Sequence, residues 1–383
     1  MLSLDDAYFR SSPFVELKQL GDLTAEQREP FLELESDPDF FGLFVPKPPL
    51  SINLKSVARQ TAELFRVLHT PSRLDSALIA DDESRNDVVD LVLDGILEVA
   101  YGDRFICGAE ALDALCALPP EPELRDAAAR LSRNALLHAQ DLETNDPQAL
   151  TAALYLYNRI PLSPFWETRF ADADAVIAHL GIDSGPIRVM LERAWIAADR
   201  SSGWLSWFST PAVPRSADDV TYKLYVSPRP ERIREAFEIV VRVLSEFPGT
   251  QFKIGQNASG LLRPDKLMIY FATRVQLDEA ADALRRELRG CEAHGVPFSA
   301  GLDDTGLLSW GIDPPDNERA LRWLGRESWR SWLAQRLGAA MAFAKSRRGA
   351  AAVEPWRFAL ERIRRQGIDV ENWTPSPALW SAA

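Results

Sequence analysis

The sequence predicts an α+β protein with an α/β sandwich in its C-terminal part, and three runs of residues carry that reading. In TYKLYVS, residues 221–227, Tyr222, Leu224 and Val226 alternate with Lys223, Tyr225 and Ser227, the period-two pattern of a strand with one buried face. From Pro230 to Phe247 the apolar positions Ile233, Ala236, Phe237, Val240 and Leu244 recur at helical spacing, and the first turn of a helix tolerates the proline. Gln251 to Ile254 and Lys266 to Ala272 are apolar runs on either side of a glycine-containing loop and read as strands, with a second helix from Gln276 to Cys291. The order is therefore strand, helix, strand, strand, helix.

The chain has 383 residues, 46% hydrophobic and 26% charged, which fits two or three folded domains with sizeable cores. A formal charge of −13 argues against general nucleic-acid binding, because affinity for a phosphate backbone comes from clustered Lys and Arg. There is no basic leader followed by an apolar core, and no apolar run of about 18 residues that would span a bilayer. The expectation is a cytoplasmic protein that binds neither nucleic acid nor membrane. Cys107, Cys116 and Cys291 lack paired ligand spacing and the four histidines (His69, His138, His179, His294) are scattered, so neither a metal nor another cofactor is expected.

In chain order, residues 1–50 are rich in proline and acid and read as an N-terminal arm with short structured pieces rather than a domain. Residues 51–108 give a helix from Leu54 to Leu68, a second in PSRLDSALI, a third from Asn86 to Leu93, and a hairpin in ILEVAYGDRFICG turning at Gly102 and Asp103. Three helices and a hairpin make the order of a winged-helix module. Its third helix carries Asp87, Asp90 and Asp94 against Arg85 alone, a face that repels phosphates. The region resembles winged-helix elements that hold leader peptides by adding them to the edge of the hairpin sheet. A packing module that binds nothing fits as well.

Residues 109–200 read as helices: Leu112 to Leu118, Leu124 to Gln140, Pro147 to Tyr157, Ala173 to Leu180 and Ile187 to Ala198. Within them YLYNRIPLSPFW reads as an aromatic packing corner or as the lining of a peptide groove. Residues 201–219 read as a linker, 220–345 as the α/β sandwich domain, and 346–383 as a C-terminal helix and tail. Arg319, Arg322, Arg326 and Arg330 lie three or four apart and share one face if their helix is continuous, either as ligands or as a solvated stripe.

Lys223 and Tyr225 share one face of the first strand of the sandwich, Lys253 projects from the next, and Arg263 and Lys266 lead into the third. A cation-rich pocket without a metal or a nucleophile triad suits a substrate that already carries a phosphate and loses it by elimination. Lysine desolvated among cations is neutral often enough to take a proton, while arginine stays charged and grips phosphate.

The patterns K-x-Y, F-K-I and R-P-D-K, with the downstream segments SWGIDPP and ESWR, resemble the bacterial phosphothreonine lyase fold. The resemblance is to its HopA-type effector branch, whose relatives also serve in class V lanthipeptide and thioamitide pathways. It covers roughly residues 220–345. It implies a phosphothreonine-lyase-like domain in which Lys253 is the general base, Arg263 a phosphate ligand and Lys223 a second cation at the phosphate. Arg330, with Arg326 behind it, is the implied downstream phosphate ligand. Tyr225 stands where these lyases carry a histidine acting as general acid, so the acid is either the phenol itself or a histidine from elsewhere, such as His294. The implied reaction uses no cofactor: a partner kinase phosphorylates Ser or Thr of a precursor peptide, and elimination of the phosphate leaves a dehydroamino acid. A non-catalytic module that presents a phosphopeptide, and a type III effector acting on host phosphoproteins, are the alternatives.

Overall fold

The computed structural model describes residues 2–48, 54–198, 203–210, 221–313, 328–346 and 353–376, and it begins with strands where an arm is expected. In chain order the first third contains β1 (Tyr8–Ser11), β2 (Val15–Lys18), α1 (Ala25–Arg28), β3 (Phe40–Pro46), β4 (Lys55–Ala58), α2 (Arg59–Val67), β5 (Ser72–Arg73), α3 (Asp82–Leu93), β6 (Leu97–Tyr101) and β7 (Arg104–Ile106). These strands form two sheets, ordered β5-β1-β6-β7 and β2-β3-β4. Phe9, Val15 and Phe44 enter one core with Phe65, Val92 and Leu97, so residues 1–50 are integral to the fold. Pro13 lies between β1 and β2 and Pro46 ends β3, positions where a proline removes no ladder hydrogen bond from a strand interior.

The α3 helix and the β6–β7 hairpin lie where the winged-helix pattern puts them, but two parts of that expectation change. Residues 55–58 are strand rather than the start of a helix, and Ser76–Ile79 make a single 3₁₀ turn capped by the Asp75 side chain. The edge of β6 is occupied by β1 of the same chain, with Phe9 opposite Val99 and Ser11 opposite Leu97. Strand addition beside β6 is therefore already satisfied internally.

The middle of the chain is helical: α4 (Ala109–Leu115), α5 (Ala127–Asp141), α6 (Pro147–Leu156), α7 (Pro164–Arg169), α8 (Ala173–Leu180) and α9 (Gly185–Ala194). The last of these ends earlier than its pattern predicts. Trp195–Ala197 is β8, whose Trp195 ring packs edge-on against Phe252 at 4.6 Å. The expected linker contains β9 (Trp204–Ser209), which buries Leu205 and Trp207 and pairs along β11 (Gln251–Gly255); residues 211–220 lie outside the described residues.

The C-terminal half continues with β10 (Tyr222–Val226), α10 (Ile233–Leu244), β11, α11 (Ala258–Leu261), β12 (Leu267–Phe271), α12 (Arg274–Glu287), β13 (Ala300–Gly301), β14 (Leu308–Ile312), α13 (Trp329–Ser346), α14 (Pro355–Arg365), β15 (Ile368–Asp369) and β16 (Thr374–Pro375). The strands from β8 onward, apart from the small β15–β16 pair, form one antiparallel sheet in the order β13-β14-β10-β12-β11-β9-β8. One face buries Leu224, Val226, Phe252, Ile254, Ile269 and Phe271 against α10 and α12. Side chains of the other face meet α6 and α13.

Helix α13 joins the regions. Trp329, Leu333, Leu337 and Met341 share a core with Leu150 and Leu154 of α6 and with Trp356 and Leu360 of α14. Further along, Phe343 belongs to the N-terminal core and fills the space a Cβ would need at Gly95 and Gly108. Arg362 and Arg365 of α14 reach the acidic face of α3: Arg362 Nη2 lies 2.7 Å from Asp94 Oδ1, and Arg365 Nε lies 2.7 Å from Asp90 Oδ1. That face is thus neutralised by the chain's own C-terminal helix. The boundary expected at residue 346 separates no packing unit, because α14 is buried on both the N-terminal and the α13 side.

Among the described residues no helix is long and apolar enough to cross a membrane, and no group of three or more His, Cys, Asp or Glu side chains is arranged to hold a metal.

Candidate functional site

Strand register builds the site. Antiparallel pairing sets Lys223 opposite Tyr270, and Tyr225 opposite Met268, which in turn faces Lys253. Directly opposed residues share a face of the sheet, so Lys223, Tyr225, Lys253, Met268 and Tyr270 all lie opposite the α10 and α12 layer. Trp204 on β9 completes the floor. The Lys253 ammonium stands 4.7 Å from the centre of the Trp204 ring and 5.3 Å from that of Tyr270, and Lys223 is 5.5 Å from Tyr270. Aromatic faces thus hold two ammonium groups close to each other.

Arg263 arrives from the loop between α11 and β12. The β11–α11 connection just before it is tight because Gly255 and Gly260 touch backbone to backbone; a Cβ on Gly255 would lie 2.5 Å from the Gly260 carbonyl carbon. Two residues on, Asp265 takes a bidentate pair from Arg263, Nε and Nη2 each at 2.9 Å, while the same Nη2 donates to the Tyr155 hydroxyl at 2.7 Å. Arg330 grips Asp265 from the other side, Nη1 to Oδ2 at 2.8 Å. Burial opposes ionisation of Asp265, yet the two guanidinium groups overcome it and hold the carboxyl well below the usual carboxylate range. Burial likewise works against the charge on Arg263, and Asp265 more than offsets it.

Lys253 differs from its neighbours. Lys223 is paired with Asp313, whereas Lys253 has no carboxylate within ion-pair distance among the described residues. Burial, reinforced by the Lys223 charge, lowers its ammonium pKa to about 8. The described site holds four cations (Lys223, Lys253, Arg263, Arg330) against two carboxylates (Asp265, Asp313), an excess of positive charge beside a partly neutral amine.

The structure brings Lys223, Tyr225, Lys253, Arg263 and Arg330 together, but two of them in roles other than those expected. Arg330 is 1% exposed and spends its guanidinium on protein: Nε donates to the Pro297 carbonyl and Nη2 to the Tyr155 carbonyl, each at 3.0 Å, besides the Asp265 pair. It is a positioning residue rather than a direct phosphate ligand. Tyr225 is 2% exposed, packed against Met268 and Val296, and burial pushes its phenol well above the ordinary value. A group so enclosed and so weakly acidic is ill suited to deliver a proton to a substrate. Arg326, with Arg319 and Arg322, lies outside the described residues. His294 does not supply the acid either. Its Nε2 donates to the Asn158 carbonyl and its Nδ1 meets the Nζ of fully buried Lys266 at 2.6 Å; burial and that lysine drive the imidazole down to about 3.

Four contributors went unassigned in the sequence. Tyr155 lies in the YLYNRIPLSPFW segment, where it is one aromatic among several. Asp265 sits inside R-P-D-K, and only its contact with a helix that begins more than sixty residues later gives it a role. Tyr270 was visible as the polar residue of an apolar strand, and period-two parity would have placed it beside Lys223. Asp313 is the last described residue before 314–327, and its pairing with Lys223 follows from the β10–β14 register.

No protein-family model matches the chain, and no match was found among curated proteins. Among solved structures it is similar to an effector protein from Pseudomonas syringae pv. syringae strain 61, at 12% identity and a TM-score of 0.38 over 65% of this chain and 98% of that one. It is also similar to an effector protein from Pseudomonas syringae pv. tomato strain DC3000, at 11% identity and a TM-score of 0.35, again over 65% of this chain and 98% of that one.

Proposed function

We propose that the chain is a lyase that eliminates phosphate from a phosphoserine or phosphothreonine residue of a peptide and leaves a dehydroamino acid. The observation that carries the reading is Lys253: half-buried, without a carboxylate partner among the described residues, and lowered to about 8 inside a cluster of other cations. With that value about a tenth of the amine is neutral at pH 7, enough for a general base acting on an acidified α-proton. Arg263 and Lys223 flank it and provide the charge that a phosphate dianion requires.

The chemistry follows from the electrostatics. Neutral Lys253 Nζ takes the α-proton, the electron pair forms the Cα–Cβ double bond, and the Cβ–O bond breaks as phosphate departs toward the cations. No water is consumed, which distinguishes the reaction from phosphate hydrolysis. By its resemblance to lyases of peptide natural-product pathways, the substrate is a precursor peptide phosphorylated by a partner kinase. Burial of Tyr225 favours a second reading, a phosphopeptide-binding module without turnover, since the position expected to hold the acid is enclosed.

The test is incubation of a phosphothreonine peptide with wild type and Lys253→Ala. The lyase reading expects a thiol-reactive alkene with wild type and loss of about 10²-fold or more in the variant, at unchanged thermal stability. Undiminished elimination by Lys253→Ala refutes it; bound but unaltered peptide with both proteins establishes the binding module.

A further inference from the structure

Elimination needs a proton at the departing bridging oxygen, and the two side chains expected to hold it, like Tyr270 beside them, are spent. Tyr225 is enclosed, His294 is committed to Asn158 and Lys266, and Tyr270 offers its ring face to Lys223 and Lys253 while burial and nearby Asp313 push its phenol up. We propose that Tyr155, carried by α6, is the proton donor that completes the site. The inference rests on the lyase reading and adds to it a catalytic residue from the helical region, outside the sandwich domain.

Three features of Tyr155 support the role. Its hydroxyl oxygen accepts a hydrogen bond from Arg263 Nη2 at 2.7 Å, and the hydroxyl's own proton has no acceptor among the described residues. A phenol in that state has a donor to spend on a ligand. The guanidinium that fixes it is the one proposed to hold the phosphate, so the phenol lies next to where the leaving group must sit. Its position is also set firmly. Arg330 donates to the Tyr155 carbonyl at 3.0 Å, and the centre of its guanidinium lies 5.2 Å from the ring centre; Arg263 approaches the ring at 5.5 Å.

The step balances. As Lys253 takes the α-proton and the Cβ–O bond breaks, the O–H proton of Tyr155 passes to the bridging oxygen, leaving a phenolate that keeps its hydrogen bond from Arg263. Lys253 is then an ammonium and Tyr155 a phenolate, and proton return through solvent restores both for the next turnover.

The experiment measures elimination from a phosphothreonine peptide and, separately, binding of that peptide by fluorescence anisotropy, for wild type, Tyr155→Phe and Tyr225→Phe. Removing only the hydroxyl keeps the ring and its packing. The expected result is that Tyr155→Phe slows kcat about 10²-fold or more, the scale of general acid catalysis, with Kd within threefold. Tyr225→Phe retains turnover. A Tyr155→Phe protein that turns over within threefold of wild type overturns the inference and leaves the lyase reading standing. Binding without elimination by wild type itself removes that reading and the inference with it.

Discussion

Gly338 in α13 sits where α6 presses closest, and an alanine there tests whether helix packing sets the site. A Cβ at this position would lie 2.4 Å from Thr151 Oγ1, 2.8 Å from the Thr151 nitrogen and 3.0 Å from its Cα. Rotation of the threonine relieves the first clash but not the two backbone contacts. Restoring the ~3.5–4.0 Å contact distance separates the helices by ~1 Å. Alanine gains ~1 kcal/mol of helix propensity over glycine, against ~1–3 kcal/mol for overpacking, so Gly338→Ala should be destabilised by no more than ~2 kcal/mol. Activity should suffer more. Tyr155 lies one turn beyond Thr151 on α6, and a displacement of ~1 Å in a catalytic group costs ~10²-fold. Thermal unfolding and steady-state elimination, with Gly21→Ala as a control where a Cβ meets open space, read the two effects separately. A Gly338→Ala protein with kcat/KM within threefold of wild type refutes the claim that α6 sets the geometry.

Two further predictions concern charge. In the proposed lyase Lys253 acts when neutral, and burial with the Lys223 charge lowers its pKa to about 8, so kcat/KM should climb about tenfold per pH unit below that value and level off above it; a profile flat from about pH 6.5 to 9 contradicts the assignment. Asp265→Asn removes the carboxylate that two guanidinium groups share and leaves Arg330 buried without its counter-charge. The loss should be ~3–5 kcal/mol in chemical denaturation, and an unchanged midpoint would mean that the cluster is not the anchor described.

Much of the sandwich was legible because its sequence alternates cleanly. Tyr222, Leu224 and Val226 line one face and Lys223 and Tyr225 the other, and the strand folds with that parity. What parity could not say is what covers the second face. Tyr225 packs against Met268 of its neighbouring strand and against Val296, some seventy residues downstream, so it reads as a strand-surface phenol but is buried. Arg330 was picked out as a cation at the site, correctly as to neighbourhood, but its role depends on Asp265, Pro297 and Tyr155, none of them near it in sequence.

The N-terminal arm failed for a different reason. Proline and acid density suggested an arm with short structured pieces, yet Pro13 and Pro38 lie just outside strands, Pro46 ends β3, and FFGLFVP carries enough apolar surface to form β3 with Leu43 and Phe44 buried. At Trp195 the apolar spacing continued the helix pattern, and the aromatic contact with Phe252 together with pairing to β9 turned the chain into a strand. Tertiary partners override local periodicity at such sites.

The central claim is that phosphate leaves by elimination, and ¹⁸O-labelled water tests it directly. A phosphothreonine peptide is incubated with the protein in labelled water, and peptide and phosphate are analysed by mass spectrometry. Elimination predicts a peptide that has lost phosphoric acid, carries a thiol-reactive double bond, and releases phosphate whose oxygens all come from the substrate. A peptide with its hydroxyl restored and phosphate carrying one ¹⁸O would contradict the account and make the protein a phosphatase.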